Sequence, residues 1–178
     1  MKIFLRDQTA EFEQHLLALR SSAVMKYVVA KLKEKRSSIT INTTLAFDHL
    51  DMAPLFAYDV FPQNILTHYA EWVHERRQMR PGDTIVQQIY IPPVKGLSQK
   101  IICGVRVKEV IDEANRKGFS YETLEGHVEK GISTFTLERA GDNTISFVIQ
   151  TSSEPTNILT RVFGPVFTLP YQAYCTRK

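Results

Sequence analysis

From Thr84 onward, apolar side chains fall on every second position, and this period constrains the fold more than any other feature of the chain. It runs through Ile85, Ile89 and Ile91, then Ile101, Cys103, Val105, Val107 and Ile111, then Phe119, Tyr121 and Thr123. Alternation of this kind puts one face of an extended segment against a core and leaves the other outward. Pro92-Pro93 stops the first of these segments. Ser133 to Arg139 and Thr144 to Thr151 read as the arms of a hairpin, with Ala140-Gly141-Asp142-Asn143 supplying turn residues between them. The spacing predicts a run of about five mostly antiparallel strands.

Helical periods flank that run. Phe12, Leu16, Leu19, Ala23 and Tyr27 recur at three- and four-residue steps and predict a helix from about Thr9 to Lys35, which the Ser21-Ser22 pair interrupts at most. Ile39, Ile41, Leu45 and Phe47 read as one half-buried strand. Ile65, Leu66, Tyr69, Trp72 and Val73 predict a second helix from about Pro62 to Met79, ended by Pro81-Gly82. Ser153, with Glu154 and Pro155 after it, reads as the N-cap of a last helix carrying Ile158, Leu159, Val162, Phe163, Val166 and Phe167. Strands grouped together with helices packed on one face make an α+β fold. The division expected is a helical extension over residues 1–36, packed on a domain over residues 37–178.

Composition narrows the function classes. The chain has 178 residues, 43% hydrophobic and 23% charged, which is globular. Lys and Arg number 22 against 19 Asp and Glu, a net charge of +3, well short of a dedicated nucleic-acid binder. Arg20 and Lys26 break the apolar stretch from Leu16 to Val29, so no membrane span is expected. Cys103 and Cys175 are the only cysteines, neither in a metal-binding spacing. These features together lead to the expectation of a soluble cytoplasmic protein with no metal and no cofactor.

The densest polar run is Tyr121-Glu122-Thr123-Leu124-Glu125-Gly126-His127-Val128-Glu129-Lys130-Gly131. His127 and Glu129 are two apart, so an extended backbone points both the same way. A carboxylate beside an imidazole raises its pKa and orients the ring, the arrangement of a general acid or base. His127 is therefore expected to be held by Glu129 or Glu125. Glu71 and His74 share a helix face at a spacing that di-iron sites use twice, but the second copy is missing.

The stretch Gly118-Phe119-Ser120-Tyr121-Glu122-Thr123-Leu124-Glu125-Gly126-His127-Val128-Glu129-Lys130-Gly131, followed by Phe135, resembles the motif of an uncharacterised family, UPF-0548. Glu154-Pro155, Leu159, Gly164-Pro165 and Tyr171-Gln172 resemble its C-terminal ending. Glu122, Val128 and Ile132 depart from the pattern, where Gly, Pro and Glu are usual. That family is grouped with the START-like, helix-grip (SRPBCC) domains. The resemblance implies a curved antiparallel sheet around a long C-terminal helix, with a cavity between them for a small hydrophobic or amphipathic molecule. Tyr121, Thr123, His127 and Glu129 are the expected polar groups of that site, and Phe135, Phe147, Phe163 and Phe167 its expected walls. An enzyme of cyclase or hydrolase type, with His127 and Glu129 as catalytic candidates, and a structural or interaction module are the alternatives.

Overall fold

The computed structural model describes residues 2–91, 98–139 and 144–155. Its strands are β1 (Lys2–Phe4), β2 (Lys33–Ile41), β3 (Leu66–Ala70), β4 (Thr84–Ile91), β5 (Gln99–Glu113), β6 (Arg116–Thr123), β7 (Glu129–Arg139) and β8 (Ile145–Pro155). Three short α-helices join them: α1 (Phe12–Arg20), α2 (Ala53–Phe56) and α3 (Glu71–His74). All strands form one antiparallel sheet in the order β2-β8-β7-β6-β5-β4-β3, with β1 paired to β5. The period-two segments from Thr84 onward all became strands, and β7 and β8 pair from Glu129↔Pro155 to Arg139↔Ile145 as the expected hairpin. The strand read through Ile39, Ile41, Leu45 and Phe47 holds only as far as Ile41, where β2 ends; Leu45 is exposed and Phe47 sits in a short 3-10 turn packed into the core. Its turn residues, 140–143, lie outside the described residues.

The helix-grip expectation is overturned. Ser153, Glu154 and Pro155, expected to open the last helix, are instead the end of β8 and pair with Gly131, Lys130 and Glu129. A strand bonded across its whole length leaves no free N–H groups for an N-cap to satisfy. Phe163 and Phe167 lie outside the described residues. The long N-terminal helix shortens to α1, and β2 replaces its C-terminal end, pairing residue by residue with β8 from Lys33↔Ser153 to Ile41↔Ile145. The second expected helix is replaced by β3 and the single turn α3, because pairing of Leu66–Ala70 with β4 outweighs local helical periodicity. The described chain is thus mainly antiparallel sheet with short helices.

Two apolar clusters hold the sheet. On one face, Phe12 and Leu16 of α1 pack on Val86 and Ile102, with Phe4, Leu19 and Tyr69 at the margin. The Arg106 guanidinium donates to the carbonyls of Leu19 and Arg20 at 3.0 and 3.1 Å, covering acceptors at the end of α1 that the helix itself cannot use. Arg20 in turn meets Glu71 at 2.7 Å and Glu75 at 2.6 Å, and Arg77 ties Glu75 to Asp83, so charges fasten α1 to α3 and the start of β4. The other face carries the larger core. There the segment between β2 and β3 lays Phe47, Leu55 and Tyr58 over Ile85, Ile89, Val105, Val107, Phe119 and Phe135.

Gly118, opposite Thr136 in the β6–β7 pair, is required by contact. A Cβ there would stand 2.0 Å from the Phe135 carbonyl oxygen. Gly82 has φ +94° but open space around it. Gly118→Ala is expected to lower stability by about 3 kcal/mol, at the upper end of overpacking costs. Gly82→Ala should cost only the backbone strain, about 1–2 kcal/mol. Urea midpoints of the two variants, compared with the parent, check the ordering.

Candidate functional site

Gln87 lies in the middle of β4, between Ile85 and Ile89, and is 2% exposed on the larger core face. An amide placed there needs partners, since an unpaired buried polar group costs about 1–3 kcal/mol. Its Nε2 donates to the Tyr58 hydroxyl at 2.6 Å. Its Oε1 lies 3.1 Å from His127 Nε2 and accepts from the Cys103 thiol at 3.7 Å. The Tyr121 hydroxyl stands beside those of Tyr58 and Ser133 and the Gln87 amide, and Ser133 Oγ meets Thr151 Oγ1 at 3.1 Å. Side chains from β4, β5, β6, β7, β8 and the covering segment are thereby joined into one uncharged polar cluster.

Tyr58 enters this cluster at a backbone cost. Its φ is +64°, a left-handed conformation that disfavours a bulky residue. Packing holds it there: its ring is 5.1–6.0 Å from the rings of His68, Phe61, Phe119, Tyr121 and Phe135. Trp72 Nε1 donates to the Phe56 carbonyl at 2.7 Å, and His68 Nε2 lies 3.1 Å from the Ala57 carbonyl, so the residues just before Tyr58 are fixed from β3 and α3.

His127 reaches Gln87 from a tight turn. Its own N–H bonds the Leu124 carbonyl at 3.0 Å, and Gly126 at φ +84° reverses the chain. His127 Nδ1 lies 2.9 Å from the Glu129 carbonyl oxygen and 3.1 Å from the Glu129 N–H, so the backbone of Glu129 holds one ring nitrogen while Nε2 faces Gln87. Burial pushes the His127 pKa down to about 4. The expectation of a carboxylate-held, raised His127 is therefore corrected: desolvation dominates and the ring is neutral. Glu129 turns its carboxylate to Ser153 Oγ, 3.0 Å away, and Glu125 is exposed.

The other expected site residues are partly gathered here. Tyr121 belongs to the cluster, while Thr123 Oγ1 accepts the Gly131 N–H at 3.0 Å and anchors the β6–β7 turn. Phe135 is buried and stacked on Phe119 at 5.4 Å. Phe147 is half-buried on β8 at the margin of the core. Tyr58, Gln87, Cys103 and Thr151 went unpicked by sequence reasoning. Gln87-Gln88 inside an apolar strand was the legible signal, whereas the left-handed Tyr58 leaves none. Glu71 is taken by Arg20 and by the Thr84 N–H, so it does not act with His74. Among the described residues no three His, Cys, Asp or Glu side chains gather as a metal site, and no helix is long and apolar enough to cross a membrane.

Residues 29–178 match the model of a domain of unknown function, DUF1990. The chain belongs to the DUF1990 family. The resemblance to an uncharacterised family thus holds at that level, and the START-like assignment goes beyond it. No curated protein matches this DUF1990 chain. Among solved structures it is similar to the hypothetical protein jhp0584 from Helicobacter pylori, at 9% identity over 81% of this chain and 83% of that one, with a TM-score of 0.56. That likeness is one of fold alone. An uncharacterised protein from Rhizobium leguminosarum aligns over 83% of this chain and 99% of that one at 14% identity, but with a TM-score of 0.33, too low to bear on the fold.

The neutral His127 is expected to make this DUF1990 chain acid-sensitive. The folded-state pKa is depressed, so the unfolded chain binds the proton more readily. Stability is therefore complete above about pH 6.5 and falls as pH drops from there toward about 4. This one ring accounts for up to about 3 kcal/mol of that loss. His68, also lowered by burial, adds in the same direction. His127→Gln should flatten the slope between pH 7.5 and 4.5, as measured by urea midpoints against the parent.

Proposed function

We propose that this domain binds a small amphipathic molecule on the core face of β7, β8 and β2, with the neutral cluster around Gln87 as its hydrogen-bonding wall. The observation that carries this reading is where the cluster ends. From buried Gln87 it runs through Tyr121 and Ser133 to Thr151, which is half-buried. Beside it on the same face is an apolar strip, Ile39, Phe147 and Ile149, also half-buried. Binding sites for small molecules combine such apolar walls with a few placed polar groups.

The chemistry of the wall is that of recognition. Hydroxyls, an amide, a thiol and a neutral imidazole donate and accept hydrogen bonds without charge. His127 at about pKa 4 is a weak base at neutral pH, so proton abstraction is the less favoured reading. The Cys103 thiol, pushed up to about 12 by burial, is held as a thiol and not as a nucleophilic thiolate.

The test uses N-phenyl-1-naphthylamine, an uncharged apolar dye. The parent protein is expected to bind it saturably with a rise in fluorescence. Ile149→Trp, which fills the strip, should abolish the rise while the thermal transition is retained. A parent protein without saturable binding, or an Ile149→Trp variant that binds as before, refutes this function.

A further inference from the structure

The sheet register continues the hydroxyl row one strand further than its hydrogen bonds do. Tyr121 pairs with Ser133, Ser133 with Thr151, and Thr151 with Lys35 of β2. Residues directly opposite in an antiparallel sheet share a face, so Lys35 stands on the core face at the end of this row. Lys33 is two residues along β2 and opposite Ser153, hence on the same face, about 7 Å from Lys35 along the strand. Both lysines are exposed, and neither makes an ion pair among the described residues. By contrast, Arg36, on the outer face of the same strand, is paired with Glu138 at 3.1 Å. Lys130 is paired with Glu154 at 2.8 Å. Glu129, a carboxylate on the core face nearby, accepts a hydrogen bond from Ser153. The adjacent row, Ser37, Ile149, Phe135 and Phe119, is apolar beyond Ser37.

From these placements we infer that the ligand is an amphipathic anion, with its carboxylate held by Lys33 and Lys35 at the β2 edge and its apolar body along Ile39, Phe147 and Ile149. The inference rests on the binding reading above and names its ligand class. Ile39 lies four residues along β2 from Lys35, about 13 Å, the length of a medium hydrocarbon chain or a two-ring aromatic acid. Two ammonium groups on one face can both reach a single carboxylate, and each adds a charge-assisted hydrogen bond. The apolar far end of the strip, Ile39 with Phe147, would reject a second anionic group by desolvation, so a single charged head is specified.

The experiment displaces bound N-phenyl-1-naphthylamine with dodecanoate or with 1-dodecanol, equal in chain length and different only in head group. The parent protein should bind dodecanoate about tenfold more tightly than the alcohol. The double substitution Lys33→Gln with Lys35→Gln should remove that preference and leave the alcohol within twofold of its parent value. Raising salt from about 0.05 to about 0.5 M should weaken only the acid, because exposed charges are screened. Equal binding of acid and alcohol by the parent, or a preference that survives the double substitution, overturns the anion assignment while dye binding keeps the binding reading intact. Absence of saturable dye binding by the parent overturns both.

Discussion

A single buried amide organises this molecule. Gln87 belongs to a central strand, yet its side chain bonds to the covering segment through Tyr58, to the neighbouring strand through Cys103 and to the β6–β7 turn through His127. Apolar packing alone would hold these three parts against the sheet without fixing their register. Hydrogen bonds from one amide fix all three at once, because each is directional and all converge on one side chain. The left-handed Tyr58 follows from the same requirement: its hydroxyl reaches Gln87 while its ring meets five others, and those contacts hold a backbone conformation a tyrosine otherwise avoids.

The neutrality of the cluster follows from its setting. Desolvation works against a charge on His127, Tyr121 or Cys103, pushing the imidazole down and the phenol and thiol up. Charges are instead kept at the periphery, where Arg20, Glu71, Glu75, Arg77 and Asp83 fasten α1 to α3 and β4. The sheet thus separates two kinds of polar interaction. Ionic contacts attach elements at the rim, and uncharged hydrogen bonds position side chains within.

How much of this was legible depended on period. Strands β4 to β8 were readable because Ile101, Cys103, Val105 and Val107, and the arms around 140–143, alternate without interruption, a pattern that no helix satisfies. The segments 9–35 and 62–79 carried helical spacing that the fold uses only in part. Phe12, Leu16 and Leu19 do form a helix face, but Lys33–Ile41 and Leu66–Ala70 are claimed by strands far away in sequence, β8 and β4 among them. Pairing of that kind leaves no trace in helical spacing, although the alternation of Ile39 and Ile41 did mark the later part of β2. His127 was picked out correctly as a polar group of the turn, and its partner was misjudged, since neither the amide forty residues earlier nor the depth of its burial is written near it.

The pairing of β2 with β8 has a consequence for the order in which the chain acquires structure. β2 is made early, and its only neighbour in the sheet is the last described strand, more than a hundred residues later. Such non-local closure is slow, and the strand must wait with its backbone groups open. A waiting apolar strand would pair with other nascent chains. The run Lys33-Glu34-Lys35-Arg36 has a charge at every position, which discourages such pairing until β8 emerges. On this account the ammonium groups at the rim of the sheet serve first as a guard against misassembly during synthesis, and the finished domain inherits them.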